Sequence, residues 1–196
     1  VKTPTSSPSK NNWEDLLPHR SDVLLEDVEL FRDFMVVGER QNGLLQLRVM
    51  HWDGTEDYYL DFNSETYIAS LSTNLDFDAH IFRYNFSSLT TPSSVIDYDT
   101  KTKTKEIKKE QEVLGGTFDK KNYTAQRLWA TGDDGTKIPI SLVRHVNTEL
   151  TPQTPILQYG YGSYGNTIDP FFSSVRLSLL DRGFVFVIAH IRLSLI

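Results

Sequence analysis

Apolar and polar residues alternate through Leu45, Leu47 and Val49, the two-residue period of a strand with one face in a core. The apolar run at 34–39 precedes it, and Asn42-Gly43 lies between. Asn-Gly tolerates positive φ at both turn positions, so the pattern predicts a tight hairpin. Asp53-Gly54 marks the next turn. Further strands are expected at 66–71, 80–86, 94–98 and 102–108. Short strands at this spacing, each bounded by turn chemistry, predict antiparallel meanders such as propeller blades. The chain has no clean internal repeat, so this pattern alone does not single out a propeller.

Past Gly115-Gly116 the pattern changes. Strands are predicted at 123–131 and 137–144, joined by a turn at Gly132-Asp133-Asp134-Gly135. A short apolar strand at 155–159 leads into Gly160-Tyr161-Gly162-Ser163-Tyr164-Gly165. Residues 173–182 carry Val175, Leu177, Leu179 and Leu180 at helical spacing, with Gly183 placed to end the helix. The run 184–190 is apolar almost throughout, as in a strand covered on both faces. Strand, helix, buried strand opens an α/β domain. The expected fold is therefore β followed by α/β, with residues 1–115 ending a β domain and 116–196 starting the α/β domain.

Composition narrows the function. No apolar run approaches the ~18–20 residues that span a bilayer, which argues against a membrane role. Residues 1–12 are rich in Ser, Thr, Pro and Lys without an apolar core, so they read as a frayed end or loop and not a secretory signal. The missing initiator Met suggests a chain that begins inside something larger. Absence of cysteine excludes disulfides, thiolate metal sites and a cysteine nucleophile, and it fits a reducing, cytoplasmic location. The formal charge of −6 disfavours nucleic-acid partners. The basic stretch at 101–109 reads as a solvated strand edge.

The glycine loop admits three readings. As G-x-G-x-x-G it could cradle a dinucleotide pyrophosphate, with Arg192 near an NADP ribose phosphate. The intervening 166–170 segment and the bulky Tyr161 and Tyr164 argue against that. Ser163 fails as a nucleophile elbow, because Tyr161 stands where the first glycine of G-x-S-x-G belongs. The third reading is a resemblance. Residues 155–192 are similar to the start of the peptidase domain in the prolyl oligopeptidase family of serine peptidases, and nearest to its oligopeptidase B branch. Residues 87–92 (Ser-Ser-Leu-Thr-Thr-Pro), 129–143, 25–28 and 38–40 also resemble that family, so the likeness covers most of 24–192.

The resemblance implies the last blades of a seven-bladed β-propeller, followed by the first strands and helix of an α/β-hydrolase domain. It implies that Tyr161 donates its hydroxyl to the oxyanion of the tetrahedral intermediate, and that Tyr164 lines the primary substrate pocket. It places the catalytic serine, aspartate and histidine, and the acids that select Arg or Lys, beyond this chain. The family's Arg-Gly-Gly is met by Arg192 and then broken by Leu193-Ser194-Leu195-Ile196. The expected function is a fragment of a cofactor-free serine endopeptidase acting on short peptides after basic residues, inactive by itself. An isolated fragment is expected to be unstable, with the 184–190 strand short of neighbours. The rival readings are a β-rich peptide-binding module, a degenerate relic, or an NADP-binding domain. Of the histidines, His190 reads as a core residue, and neither it nor His145 has an evident serine partner. Glu14-Asp15 and Glu26-Asp27 read as solvated faces, and no metal-ligand spacing occurs.

Overall fold

The structure, a computed structural model, describes residues 1–164 and 166–191. Its strands form three four-stranded sheets. The first is the meander β1 (Val23–Leu30), β2 (Phe34–Gln41), β3 (Leu44–His51) and β4 (Asp57–Tyr59). Asn42 and Gly43 both adopt positive φ, +53° and +76°, as the predicted hairpin requires. Two strands escaped the pattern. In β1 the apolar Leu24, Leu25, Val28 and Leu30 are all at least half exposed, and a bulge between Leu25 and Asp27 breaks the alternation. β4 is three residues long, too short to show a period.

The second sheet is the meander β5 (Tyr67–Leu71), β6 (Ile81–Ser88), β7 (Ser94–Asp99) and β8 (Thr104–Glu110). Neighbouring strands pair antiparallel in both meanders, and neither sheet is closed. The largest core lies between them. Phe34, Val36, Leu47 and Val49 from the first sheet meet Phe82, Tyr84 and Tyr98 from the second, all buried. β8 is an outer strand exposed along its length. Lys108 on this strand pairs locally with Glu106 at 2.8 Å, and Lys103, just before the strand, reaches Glu56 beside β4 of the first sheet at 2.7 Å.

The third sheet has the order β11-β12-β10-β9, built from β9 (Tyr123–Thr131), β10 (Lys137–His145), β11 (Ile156–Gly160) and β12 (Val185–Ala189). β12 runs parallel to β11 and antiparallel to β10. The helix α1 (Ser174–Leu180) connects the parallel pair. It is shorter than the expected 173–182, because Ser173 is extended and the chain turns out through Gly183 at φ +84°. The expectation that 184–190 lacks neighbours is overturned. β12 is paired on both sides, with Val185, Val187 and Ile188 buried, and the exposed edge is β11. Leu180 and Ile188 pack with Val143 and with Leu89, which follows β6, so the third sheet is joined to the second.

Candidate functional site

Gly160 and Ala189 are register partners at the carboxyl ends of the two parallel strands. In sheets with a parallel, helix-connected core, the carboxyl ends of the strands are where ligands bind, because the outgoing loops diverge there. Tyr161 leaves β11 at that edge and is 39% exposed. Its hydroxyl makes no hydrogen bond to a described residue, so it is available to an incoming group. Tyr164 is 90% exposed and held at φ +55°. A bulky residue in the left-handed region costs about 1–3 kcal/mol and tends to occur at functional loops. Ser163 is exposed, and its carbonyl accepts from the Asn166 backbone N–H at 3.1 Å. Gly165 and Arg192, both part of the dinucleotide reading, lie outside the described residues. The described part of the loop opposes that reading, because α1 begins only at Ser174 and the glycine loop does not open onto a helix.

The first sheet abuts this edge through the tip of its β2–β3 hairpin. A Cβ on Gly43 would stand 3.3 Å from the His190 Cβ, so only glycine suits both the turn and the contact. Arg127 on β9 donates to the Asn42 carbonyl, and through Nη1 to Ser141 Oγ at 3.3 Å. Its backbone N–H reaches Glu65 at 3.0 Å. Burial pulls the Arg127 guanidinium down to about 10.

Sequence reasoning saw no serine partner for His190, but the register of β10 against β12 supplies one. Ser141 Oγ lies 2.8 Å from His190 Nε2, and both residues are buried. This serine–histidine pair is not arranged as a nucleophile and base. Ser141 is fully enclosed, Arg127 also bonds its Oγ, and no carboxylate orients the imidazole: Nδ1 is buried without a good hydrogen bond. Burial, then the nearby Arg127 and Arg40 charges, depress His190 to about 4. The pair is a neutral buried hydrogen bond, in keeping with the core reading of His190.

That shift predicts a pH dependence. The unfolded imidazole titrates near ~6.5. As pH falls below that, the unfolded chain binds a proton that the folded chain refuses until about 4. Stability therefore declines as pH drops through this window, by at most about 1.4 kcal/mol per pH unit from this group. Urea midpoints taken from pH 7 to pH 4 are expected to fall more steeply in the native sequence than in His190→Gln. Equal slopes would refute the buried neutral histidine.

Charged groups also cross the seam. Arg40 at the end of β2 binds Glu26 of β1 and, through Nη1 at 2.5 Å and Nη2 at 3.3 Å, the two carboxylate oxygens of Asp169. The side chains of Arg40, Glu26 and Asp169 are only 15%, 28% and 19% exposed. Glu26 as a whole residue is exposed, as expected of a solvated face, and it also pairs with Arg40. Strand alternation could not reveal the Arg40–Asp169 contact, because its two residues lie over a hundred positions apart. Beside it, Glu39 is 2% exposed and accepts from Arg20 at 2.6 Å, Arg48 at 3.3 Å and the Tyr59 hydroxyl. Among the described residues no group of His, Cys, Asp and Glu side chains could hold a metal ion, and no helix is long and apolar enough to cross a membrane.

Two open four-stranded meanders stand against a mixed sheet, with an exposed tyrosine loop at the carboxyl edge of its parallel pair. The profile of the "Prolyl oligopeptidase, N-terminal beta-propeller domain" matches residues 1–111. Dipeptidyl aminopeptidase BI of Pseudoxanthomonas mexicana is 43% identical over 98% of this chain, which spans 26% of that protein. Protease 2 of Moraxella lacunata is 31% identical over 91% of this chain and 25% of its own length. Oligopeptidase B from Leishmania major superposes with a TM-score of 0.83 at 34% identity, covering 96% of this chain and 27% of the neighbour. The chain belongs to the prolyl oligopeptidase family, whose members among these relatives are serine peptidases. It spans about a quarter of the length of the relatives it matches.

Proposed function

We propose that this chain is part of a longer serine endopeptidase that hydrolyses short peptides after Arg or Lys, through an acyl-enzyme and without a cofactor. The observation that carries this reading is the position of Tyr161. It sits at the carboxyl edge of the parallel pair β11 and β12, exposed, on a family scaffold. A phenol held there can donate to the oxygen on which charge develops during acyl transfer. Tyr164, projecting from the same loop, would line the pocket for the residue before the cleaved bond. Residues 1–115 would be propeller blades over the site, and 116–196 the opening of an α/β-hydrolase domain. In this reading the nucleophile, acid and base come from the part of the longer relatives that this chain does not cover, so the chain by itself is inactive. The lack of cysteine supports a cytoplasmic site of action.

Preference for basic residues is supported by identity. The oligopeptidase B structures of Leishmania major and Trypanosoma brucei stand at 34% and 35%, whereas a prolyl oligopeptidase B of Galerina marginata stands at 26%. The 43% identity to a protein named dipeptidyl aminopeptidase favours a second reading, release of dipeptides from free amino termini. One assay separates them. The longer protein is offered fluorogenic peptides with blocked amino termini ending in Arg, Lys or Pro, and unblocked dipeptidyl substrates. Cleavage of blocked Arg and Lys peptides at least about a hundredfold faster than Pro is expected. Turnover confined to unblocked dipeptidyl substrates would establish the second reading, and preference for Pro would sink both.

A further inference from the structure

We infer that Arg40 is a positioning residue for the tyrosine loop, tying the first blade-like sheet to the loop that carries Tyr161. This deepens the functional reading above and rests on it for the catalytic consequence. The loop from Tyr161 to Ser173 leaves β11 at an exposed sheet edge. Two cross-sheet anchors hold its far half. Asp169 accepts both Nη groups of Arg40, and the Phe172 backbone N–H donates to Ser87 Oγ at 3.0 Å. Both anchors come from the antiparallel sheets, Arg40 from β2 and Ser87 from β6.

The chemistry suits Arg40 to this task. A guanidinium is a rigid planar fork that can grip two carboxylates in a fixed relation, which a lysine ammonium cannot do. One carboxylate, Glu26, belongs to the neighbouring strand and fixes Arg40 on its own sheet. The other, Asp169, belongs to the loop, eight residues after Tyr161 in the chain. Arg40 and Asp169 are largely screened from water, so their pair is less weakened by solvent than a surface ion pair. A loop whose only job was to connect β11 to α1 would not need such a tie. A loop that must present a phenol to a developing charge does, because a displacement of about 1 Å can cost on the order of a hundredfold in rate.

The test uses the longer peptidase with Arg40→Gln, Asp169→Asn, the double variant and Glu26→Gln. Amide exchange of the 161–168 segment and kcat and KM are measured together. Exchange in that segment is expected to quicken about tenfold in Arg40→Gln and Asp169→Asn, with the double variant no faster than either single one. Glu26→Gln, which leaves the loop contact in place, is expected to change it less. kcat is expected to fall about tenfold or more while KM moves little. Unchanged exchange in correctly folded Asp169→Asn, or additive effects in the double variant, would overturn the inference. So would unchanged kcat in an enzyme that Tyr161→Phe cripples. If Tyr161→Phe leaves kcat intact, the oxyanion reading fails, and the exchange data then decide for or against the anchor by themselves.

Discussion

Replacing Phe82 by Ala is expected to destabilise the chain by about 3–5 kcal/mol, the range for deleting a buried aromatic ring. Phe82 is fully buried on β6, and its ring meets others from both antiparallel sheets. Phe34 and Phe31 lie at 6.2 and 6.4 Å between centroids, and Tyr98 and Tyr84 at 5.4 and 6.1 Å. The surrounding rings are rigid and cannot collapse into the space that alanine would leave, so the cavity term adds to the lost transfer energy. The loss is a large fraction of the whole stability of a typical domain, about 5–15 kcal/mol. Urea unfolding measures it, as a lowered midpoint with an unchanged slope. Two neighbours set the scale. Ile81 points to the other face and is 41% exposed, so Ile81→Ala is expected to cost under about 1 kcal/mol. Tyr84 buries a hydroxyl with no hydrogen-bond partner among the described residues, so Tyr84→Phe is expected to be neutral or stabilising. A cost below about 1 kcal/mol for Phe82→Ala would mean that the two sheets do not share this core.

The sequence displayed its strands better than its seams. Leu45, Leu47 and Val49 alternate because β3 has one face on the inter-sheet core and one toward solvent. Asn42-Gly43 is legible because the turn demands positive φ from both residues. β1 was not legible, since its apolar side chains remain exposed and carry no alternation. The site divides in the same way. Tyr161 and Tyr164 stand out within a contiguous glycine motif, so a resemblance could find them. Arg40, Arg127 and Ser141 could not be found in that manner, because each acts on a residue distant in sequence. Ser141 meets His190 across the register of β10 and β12, and Arg40 meets Asp169 across two sheets. Periodicity reports which face a residue takes, not what arrives on that face from elsewhere. An arginine at the end of a hairpin strand looks solvated until the fold brings a carboxylate to it.

In the longer peptidase, Tyr161→Phe is expected to lower kcat by about a hundredfold to a thousandfold, the effect of removing one oxyanion donor. KM is expected to change little, because the hydroxyl would bond the oxygen only after charge has developed on it. The phenol is partly exposed, which makes this variant a clean probe. It has no hydrogen bond to a described residue, so removing one oxygen breaks no hydrogen bond among the described residues, and the thermal midpoint should not move. A packing role would produce the opposite signature, with unchanged turnover, since phenylalanine keeps the ring. Tyr164 serves as the internal contrast. At 90% exposure on a left-handed backbone it is placed to touch substrate and contributes little to the core. Tyr164→Ala is therefore expected to raise KM and alter the ratio of Arg to Lys cleavage with a smaller effect on kcat. If both variants changed only KM, the loop would be a substrate-binding surface and the oxyanion donor would have to be sought elsewhere. If Tyr161→Phe lowered kcat alone and Tyr164→Ala shifted KM and selectivity, the four-residue stretch 161–164 would divide transition-state stabilisation from ground-state recognition, with the blade-borne Arg40 holding both in register.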